Sequence, residues 1–254
     1  DVGLHNSIIN SIVLKNGNFS WNYYHMGSGP SLTHPGFHIF VAYIWLITGM
    51  PTYVVQCAVA ILFSSLIVLC AFLLTRRFWK LPLASLVAAF LAALSRYDIE
   101  MLSWGGYPNV VTSAIIPLIF YTSMKEGTSK RRALLVSSLF AGVTLITHSL
   151  SYLTFICIAI LFLVLRLIVH RGFPDRGSPC RVLLASIVLG VLIASPFIVH
   201  ILPVYMENVK EGMFTSALSE NQRALLLTRV VPLQLALLAL IPSISFLAFA
   251  KKFR

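Results

Sequence analysis

The sequence predicts an all-α, polytopic transmembrane helical bundle of about seven spans with juxtamembrane helices. Three observations predict it. Hydrophobic residues make up 58% of the 254-residue chain and charged residues only 11%, whereas an ordinary soluble domain is about half apolar and about a quarter charged. The mean hydropathy is +0.87. The net charge of +11 comes from Lys and Arg held in short clusters between apolar runs, as in loops on the cytoplasmic side of a membrane. This composition excludes a water-soluble globule, a disordered chain, a collagen-like fibre and a disulfide-stapled miniprotein. No basic stripe with interleaved aromatics is present, so the expected partner is the lipid bilayer and not nucleic acid.

The chain opens on Asp1, with no signal peptide, and reads as a piece of a longer protein. Residues 1–52 are expected to form an external segment, and residues 53–254 the bundle. Within 1–14, Leu4, Ile8, Ile9, Ile12 and Val13 fall on one arc of a helical wheel, and Asn6, Ser7, Asn10 and Ser11 on the other. Asp1 and His5, four residues apart, lie within the apolar arc, so an ionisable pair is expected on the buried side. Phe37–Gly49 is apolar but only 13 residues long, the length of an interfacial or re-entrant helix.

The spans follow. Tyr53–Leu74 is 22 residues without a charge. Leu81–Ser95 is shorter and flanked by Trp79 and Tyr97; Tyr107–Ser123 is a third. Ala133–Leu165 is 33 uncharged residues, roughly 50 Å of helix against a hydrocarbon core of about 30 Å. It must fold back, and the polar centre Thr147-His148-Ser149 marks the tip, giving spans near 133–147 and 149–166. Val182–Met206 and Val230–Ala250 complete seven. The stretches 75–80, 124–132, 166–181 and 251–254 each net +3, whereas 1–52, 96–106, the tip at 148 and 207–229 net 0, −1, 0 and 0. The alternation puts the basic set in the cytoplasm and the other set outside, in a multi-pass plasma-membrane protein whose working face is external.

Four external patches carry candidate chemistry. Asp1 and His5 form the first. The second, 19–38, combines Trp21, Tyr24 and other aromatics with His25, His34 and His38. Flat rings with polar tips suit a sugar or lipid headgroup, and equally an aromatic belt without a ligand. The histidine spacing matches no standard metal site, so no cofactor is assigned, a divalent metal remaining an unsupported option. The third patch, 96–108, holds Arg96, Asp98 and Glu100 and then Trp104-Gly105-Gly106-Tyr107-Pro108; its bland reading is a solvated loop with a local ion pair. The fourth is His148 at the hairpin tip, either a recessed headgroup site or a hydrogen-bonded turn. Lys210, Arg223 and Arg229 are further partners for a phosphate. The four cysteines show no ligand or redox spacing.

The order of these pieces resembles the GT-C superfamily of membrane glycosyltransferases. The likeness rests on Asp1-Val-Gly-Leu-His5, Thr33-His-Pro-Gly-Phe-His38 and Thr75-Arg-Arg-Phe-Trp79. Trp104-Gly-Gly-Tyr-Pro108 and Leu145-Ile-Thr-His-Ser-Leu150 look like a prokaryotic subgroup often labelled as membrane proteins related to 6-pyruvoyl-tetrahydropterin synthase. The likeness covers most of 1–170. It implies transfer of a sugar from a polyprenyl-phosphate donor to a glycan, lipid or protein acceptor on the external face. Asp1 would be the general base, accompanied by His5. Trp21, Tyr24, His34, His38, Arg96, Asp98, Glu100, Trp104, Tyr107 and His148 would bind substrate, with Arg96, Arg229 or a protonated His148 facing the leaving phosphate. Where such enzymes commonly add a second acid, only Asp98 or Glu100 is present. The alternatives are a transporter or flippase, and a catalytically silent relative that binds a lipid-linked glycan.

Overall fold

The computed structural model describes residues 2–16, 34–124, 129–170 and 179–210, and every element among them is an α-helix. In chain order these are α1 (Val2–Leu14), α2 (Gly36–Thr48), α3 (Thr52–Trp79), α4 (Pro82–Ala93), α5 (Arg96–Trp104), α6 (Tyr107–Ser123), α7 (Lys130–Thr147), α8 (Ser149–His170), α9 (Pro179–Ile193) and α10 (Ser195–Lys210).

The burial pattern is that of a protein solvated by lipid. Small and hydroxyl-bearing residues are inside: Ser85, Ser137, Thr144 and Ser186 are fully buried, as is Ala141. Large apolar residues are outside: Ile61, Leu62, Phe90, Leu91, Leu161 and Leu192 are each more than half exposed. Water would not tolerate so wide an apolar surface, whereas in a bilayer helices associate through close packing of small residues. α7 and α9 meet in this way. A Cβ on Gly190 would lie 2.7 Å from Ala141 Cβ and 3.0 Å from the Gly142 nitrogen, so the backbones are in near contact.

Among the described residues three helices are long and apolar enough to cross a membrane: α3, the α4–α5 stretch Pro82–Ser103, and α8 as Ser149–Arg166. The pair Pro179–Ile193 and Ser195–Pro203, bent by 64°, makes a fourth if it counts as one span. The seven expected spans are thus shown only as three or four. The expected span at 182–206 is broken where α9 gives way to α10, ahead of Pro196, which has no N–H to donate. The span near 230–250 lies outside the described residues. The stretch 96–104, expected as a solvated loop, is helix α5 and continues α4 after a break at Leu94 and Ser95.

The hairpin at 148 is present. α7 ends at Thr147, α8 begins at Ser149, and His148 between them is extended, with φ −162° and ψ 104°. α2 is a 13-residue apolar helix, about 20 Å long and too short to cross. It does not float apart from the bundle. Ile8, Ile9 and Ile12 of α1 and Phe37, Val41 and Ala42 of α2 share one apolar core with Val55 and Val59 of α3, Val111 and Ile115 of α6 and Phe155 of α8. The buried arc of α1 is the one the wheel marks, except that Leu4 is 40% exposed. Asn10, expected to face away, receives a 2.9 Å hydrogen bond from the Thr52 hydroxyl, which is also bonded to Asn6.

The two ends of the bundle differ. At one end Arg77 donates from Nε and Nη2 to the Met124 carbonyl, at 3.0 and 2.6 Å, tying the ends of α3 and α6. Lys130, Arg131 and Arg132 open α7 at this end, and Arg181 lies in the first turn of α9. At the other end α3, α6 and α8 begin and α7 finishes, and there α1 and α2 pack.

Candidate functional site

A cavity of about 210 Å³ lies at the end away from Arg77, Arg131, Arg132 and Arg181. Its walls come from four separate segments: His5 of α1; His34 and His38 at the start of α2; Met101, Gly105, Gly106, Pro108 and Asn109 around the α5–α6 junction; and Thr147 with His148 at the α7–α8 tip.

Local backbone chemistry sets each wall. Gly105 ends α5 with φ +86°, the left-handed region that costs glycine little. Its carbonyl accepts a 2.8 Å hydrogen bond from His5 Nε2. Gly36 opens α2 against the tip: a Cβ there would sit 2.5 Å from Thr147 Oγ1 and 2.9 Å from the Thr147 nitrogen. Glycine therefore lets α2 approach close enough for His34 to reach His148, their ring centroids being 5.9 Å apart. Phe197 of α10 covers the other side of His34 at 5.5 Å.

The histidines are held in distinct ways. His38 is fully buried. Its Nδ1 donates to the His34 carbonyl at 3.0 Å, one turn back along α2. Its Nε2 lies 2.8 Å from His5 Nδ1. His148 Nδ1 accepts the Ser151 backbone N–H at 3.2 Å and contacts the Ser151 hydroxyl at 2.8 Å. The ring therefore caps the first turn of α8, and its remaining N–H is on Nε2. Tyr107 packs its ring 6.0 Å from that of His5 and brings its hydroxyl 3.6 Å from Cys57 Sγ.

Burial governs the charge of this site. It is the largest influence on all four rings and lowers each pKa below the usual 6.5: His34 to about 4 and His38 to about 3, His5 despite the opposing bond to Gly105, and His148. The neighbouring His148 adds to the lowering of His34, and His5 to that of His38. Protonation of His148 would also cost its bond from the Ser151 N–H. Burial and the bond from the Ser151 N–H both favour the neutral His148 ring, which then donates from Nε2, over the protonated ring expected to face a phosphate. Two buried polar atoms at the cavity have no partner, His34 Nε2 and Asn109 Oδ1.

Of the expected residues, the structure brings together His5, His34, His38 and His148, with Tyr107 behind His5. Asp98 and Glu100 do not line the cavity. The Asp98 carboxylate instead accepts a 2.6 Å hydrogen bond from Ser64, in the middle of α3. Asp1, Trp21 and Tyr24 lie outside the described residues, as do the side chains of Arg96 and Trp104. Met101 and Asn109 were not singled out from the sequence; Asn109, three residues past a Gly-Gly pair at a helix start, was the legible one. Among the described residues no three His, Cys, Asp or Glu side chains converge as a metal-binding set, and no carboxylate lines the cavity. The arrangement offers hydrogen bonds from neutral imidazoles and an amide in a small, half-open space.

Residues 1–249 match DUF6541, a family of unknown function. No curated protein and no solved structure matches the chain.

Proposed function

For this chain, which belongs to the DUF6541 family, we propose an integral membrane glycosyltransferase of the GT-C type that uses a polyprenyl-phosphate sugar at the external face of the plasma membrane. The observation that carries the reading is the cavity built from His5, His34, His38 and His148. Four segments far apart in sequence converge on it, at the end of the bundle away from the basic clusters. Basic clusters favour the cytoplasmic side, which supports an external cavity. A headgroup would enter sideways from the bilayer and seat among the neutral imidazoles and Asn109.

In the reaction, the acceptor hydroxyl attacks the anomeric carbon. The new C–O bond forms as the bond from that carbon to the phosphate oxygen breaks, and polyprenyl phosphate leaves with the electron pair. Asp1, four residues ahead of His5, takes the hydroxyl proton. General-base help of this kind is worth about 10²–10⁴-fold. His34, His148 and Asn109 hold the headgroup, and the buried His5–His38 pair sets α1 against α2 at the cavity. The stereochemistry expected is inversion.

The test is transfer of radiolabelled sugar from a polyprenyl-phosphate donor by the full protein in proteoliposomes. Wild-type protein should transfer and Asp1→Asn should not, with the fold intact by circular dichroism; unchanged transfer by Asp1→Asn removes Asp1 from the mechanism. Sidedness is tested by Ser7→Cys, an exposed position on α1, in a cysteine-free background. An impermeant maleimide should label it in intact cells, and labelling only after lysis would end the external reading. A second reading, a relative that binds a lipid-linked glycan without transfer, is favoured by the lack of a carboxylate among the described residues lining the cavity. Donor binding without transfer by the wild type would establish it over the first.

A further inference from the structure

The hydrogen bonds around His5 and His38 hold one proton fewer than they need. His5 Nε2 faces the Gly105 carbonyl, so it must donate. His38 Nδ1 faces the His34 carbonyl, so it must donate too. A neutral imidazole carries a single N–H. With both spent on carbonyls, His5 Nδ1 and His38 Nε2 are left as two lone pairs 2.8 Å apart. That is hydrogen-bond distance, and two acceptors at that separation repel. One further proton between them turns the contact into an imidazole–imidazolium hydrogen bond and satisfies all three interactions.

We propose that His5 and His38 share one proton across this contact, taken up from solvent when a phosphodiester monoanion seats in the adjacent cavity. Burial works against a lone charge on either ring and keeps the empty site neutral; an anion beside the pair supplies the compensation that burial removes. The surroundings hold no other source of it among the described residues. On α2 and at the α7–α8 tip the facing titratable groups are His34 and His148. On α6 there is Tyr107, and on α3 Cys57, bonded to the Tyr107 hydroxyl. On α5 the Asp98 carboxylate is engaged by Ser64 and Glu100 is not at the cavity. The seat itself has the right donors. His148 keeps Nε2–H, His34 presents an unpartnered Nε2, and the Asn109 amide, whose NH₂ donates to Met101 Sδ at 3.4 Å, can exchange that weak contact and turn its NH₂ toward the cavity in place of the unpartnered Oδ1. One shared proton balances one negative charge, which matches a diester better than a doubly charged monoester. The volume of about 210 Å³, room for about seven waters, accommodates a phosphate group.

The identity of the anion rests on the proposed function, whereas the proton count does not. Coupling is reciprocal: affinity for the diester should rise by about tenfold for each pH unit lowered wherever the empty pair is neutral and the filled pair protonated. The experiment is titration calorimetry of the full protein in nanodiscs, in phosphate-free buffers of differing ionisation enthalpy. The probes are dimethyl phosphate, a free anion, and a short-chain polyprenyl methyl phosphodiester, a lipid headgroup; neither titrates near neutral pH. About one proton should be taken up per diester bound. Binding of both probes marks a general oxyanion site, and binding of the lipid probe alone marks a headgroup site; either supports the proposal. His38→Gln and, independently, His5→Gln should bind with no proton uptake and a flat pH profile. Nitrogen-15 shifts of the histidine rings should show a charged pair only with diester present. Binding without proton uptake by the wild type overturns the coupling and leaves the transfer reaction standing. Binding of neither probe overturns the site. Proton uptake in a protein that transfers no sugar leaves this inference intact and defeats the enzyme reading.

Discussion

His38 Nε2 lies 2.8 Å from His5 Nδ1, across 33 residues of sequence, and the two rings join α1 to α2. The other nitrogen of His5 reaches Gly105, so one ring ties α1 to α2 and to the α5–α6 junction at once. Replacing His5 by Ala should therefore strand the buried Gly105 carbonyl, whereas His38 Nε2 faces no donor in the empty protein with or without His5. A stranded group of this kind costs about 1–3 kcal/mol, and thermal unfolding in nanodiscs should show a loss of that order. A loss no larger than that of an exposed substitution such as Ser7→Ala would mean that the three-way tie contributes nothing.

Acid should destabilise the empty protein. His34 has its pKa lowered to about 4 and His38 to about 3, both through burial. An unfolded chain takes up a proton on each near the ordinary 6.5, whereas the folded protein resists until the lower values. Stability should be level above about pH 7, fall as pH drops from about 6.5 toward 4, and flatten near 3. A melting temperature that rises over that interval in phosphate-free buffer contradicts the burial of these rings.

Gly36→Val tests the close approach of α2 to the tip. The added side chain meets Thr147, including its backbone nitrogen at 2.9 Å, which cannot swing aside. Overpacking of this kind costs about 1–3 kcal/mol, and the shift should also separate His34 from His148. Pairing Gly36→Val with Thr147→Ala removes the hydroxyl but not the backbone, so only partial recovery of the melting temperature is expected. Full recovery would place the clash on the hydroxyl alone.

Gln56 of α3 is fully buried, and neither its amide oxygen nor its amide nitrogen has a partner. Gln56→Leu keeps the volume and removes two unsatisfied groups, so stability should increase, by about 1–3 kcal/mol. A decrease would show that the amide is satisfied in the membrane-embedded protein, by water or by a bound group.

Much of this architecture was legible in the sequence because a bilayer imposes simple rules. Apolar run length set α3. The excess length of 133–165, together with its polar centre, forced a reversal at His148. The period of Ile8, Ile9 and Ile12 marked the buried face of α1, and the short run after Pro35 gave a helix too brief to cross. Composition likewise pointed to helices apolar enough to cross a bilayer, as the described residues show. Breaks inside apolar stretches were harder to read. The bend between α9 and α10 falls inside an uncharged run, so run length joined that pair, whereas Arg96, Asp98 and Glu100 end the apolar run after α4, so run length cut the α4–α5 stretch into span and loop.

The tertiary structure alone decided which polar residues meet. Four histidines at positions 5, 34, 38 and 148 look alike in the sequence, and Asp98 and Glu100 look as eligible as any of them. Packing separated them. Gly36 lets α2 close on Thr147, Gly105 aims a carbonyl at His5, and α5 holds Asp98 against Ser64 away from the cavity. Local pattern reports what each residue is and which face it takes, because helix periodicity is local. Hydrogen-bond partners and shared protons depend on distances of a few ångströms between segments up to a hundred residues apart, and these are fixed only when the helices have packed.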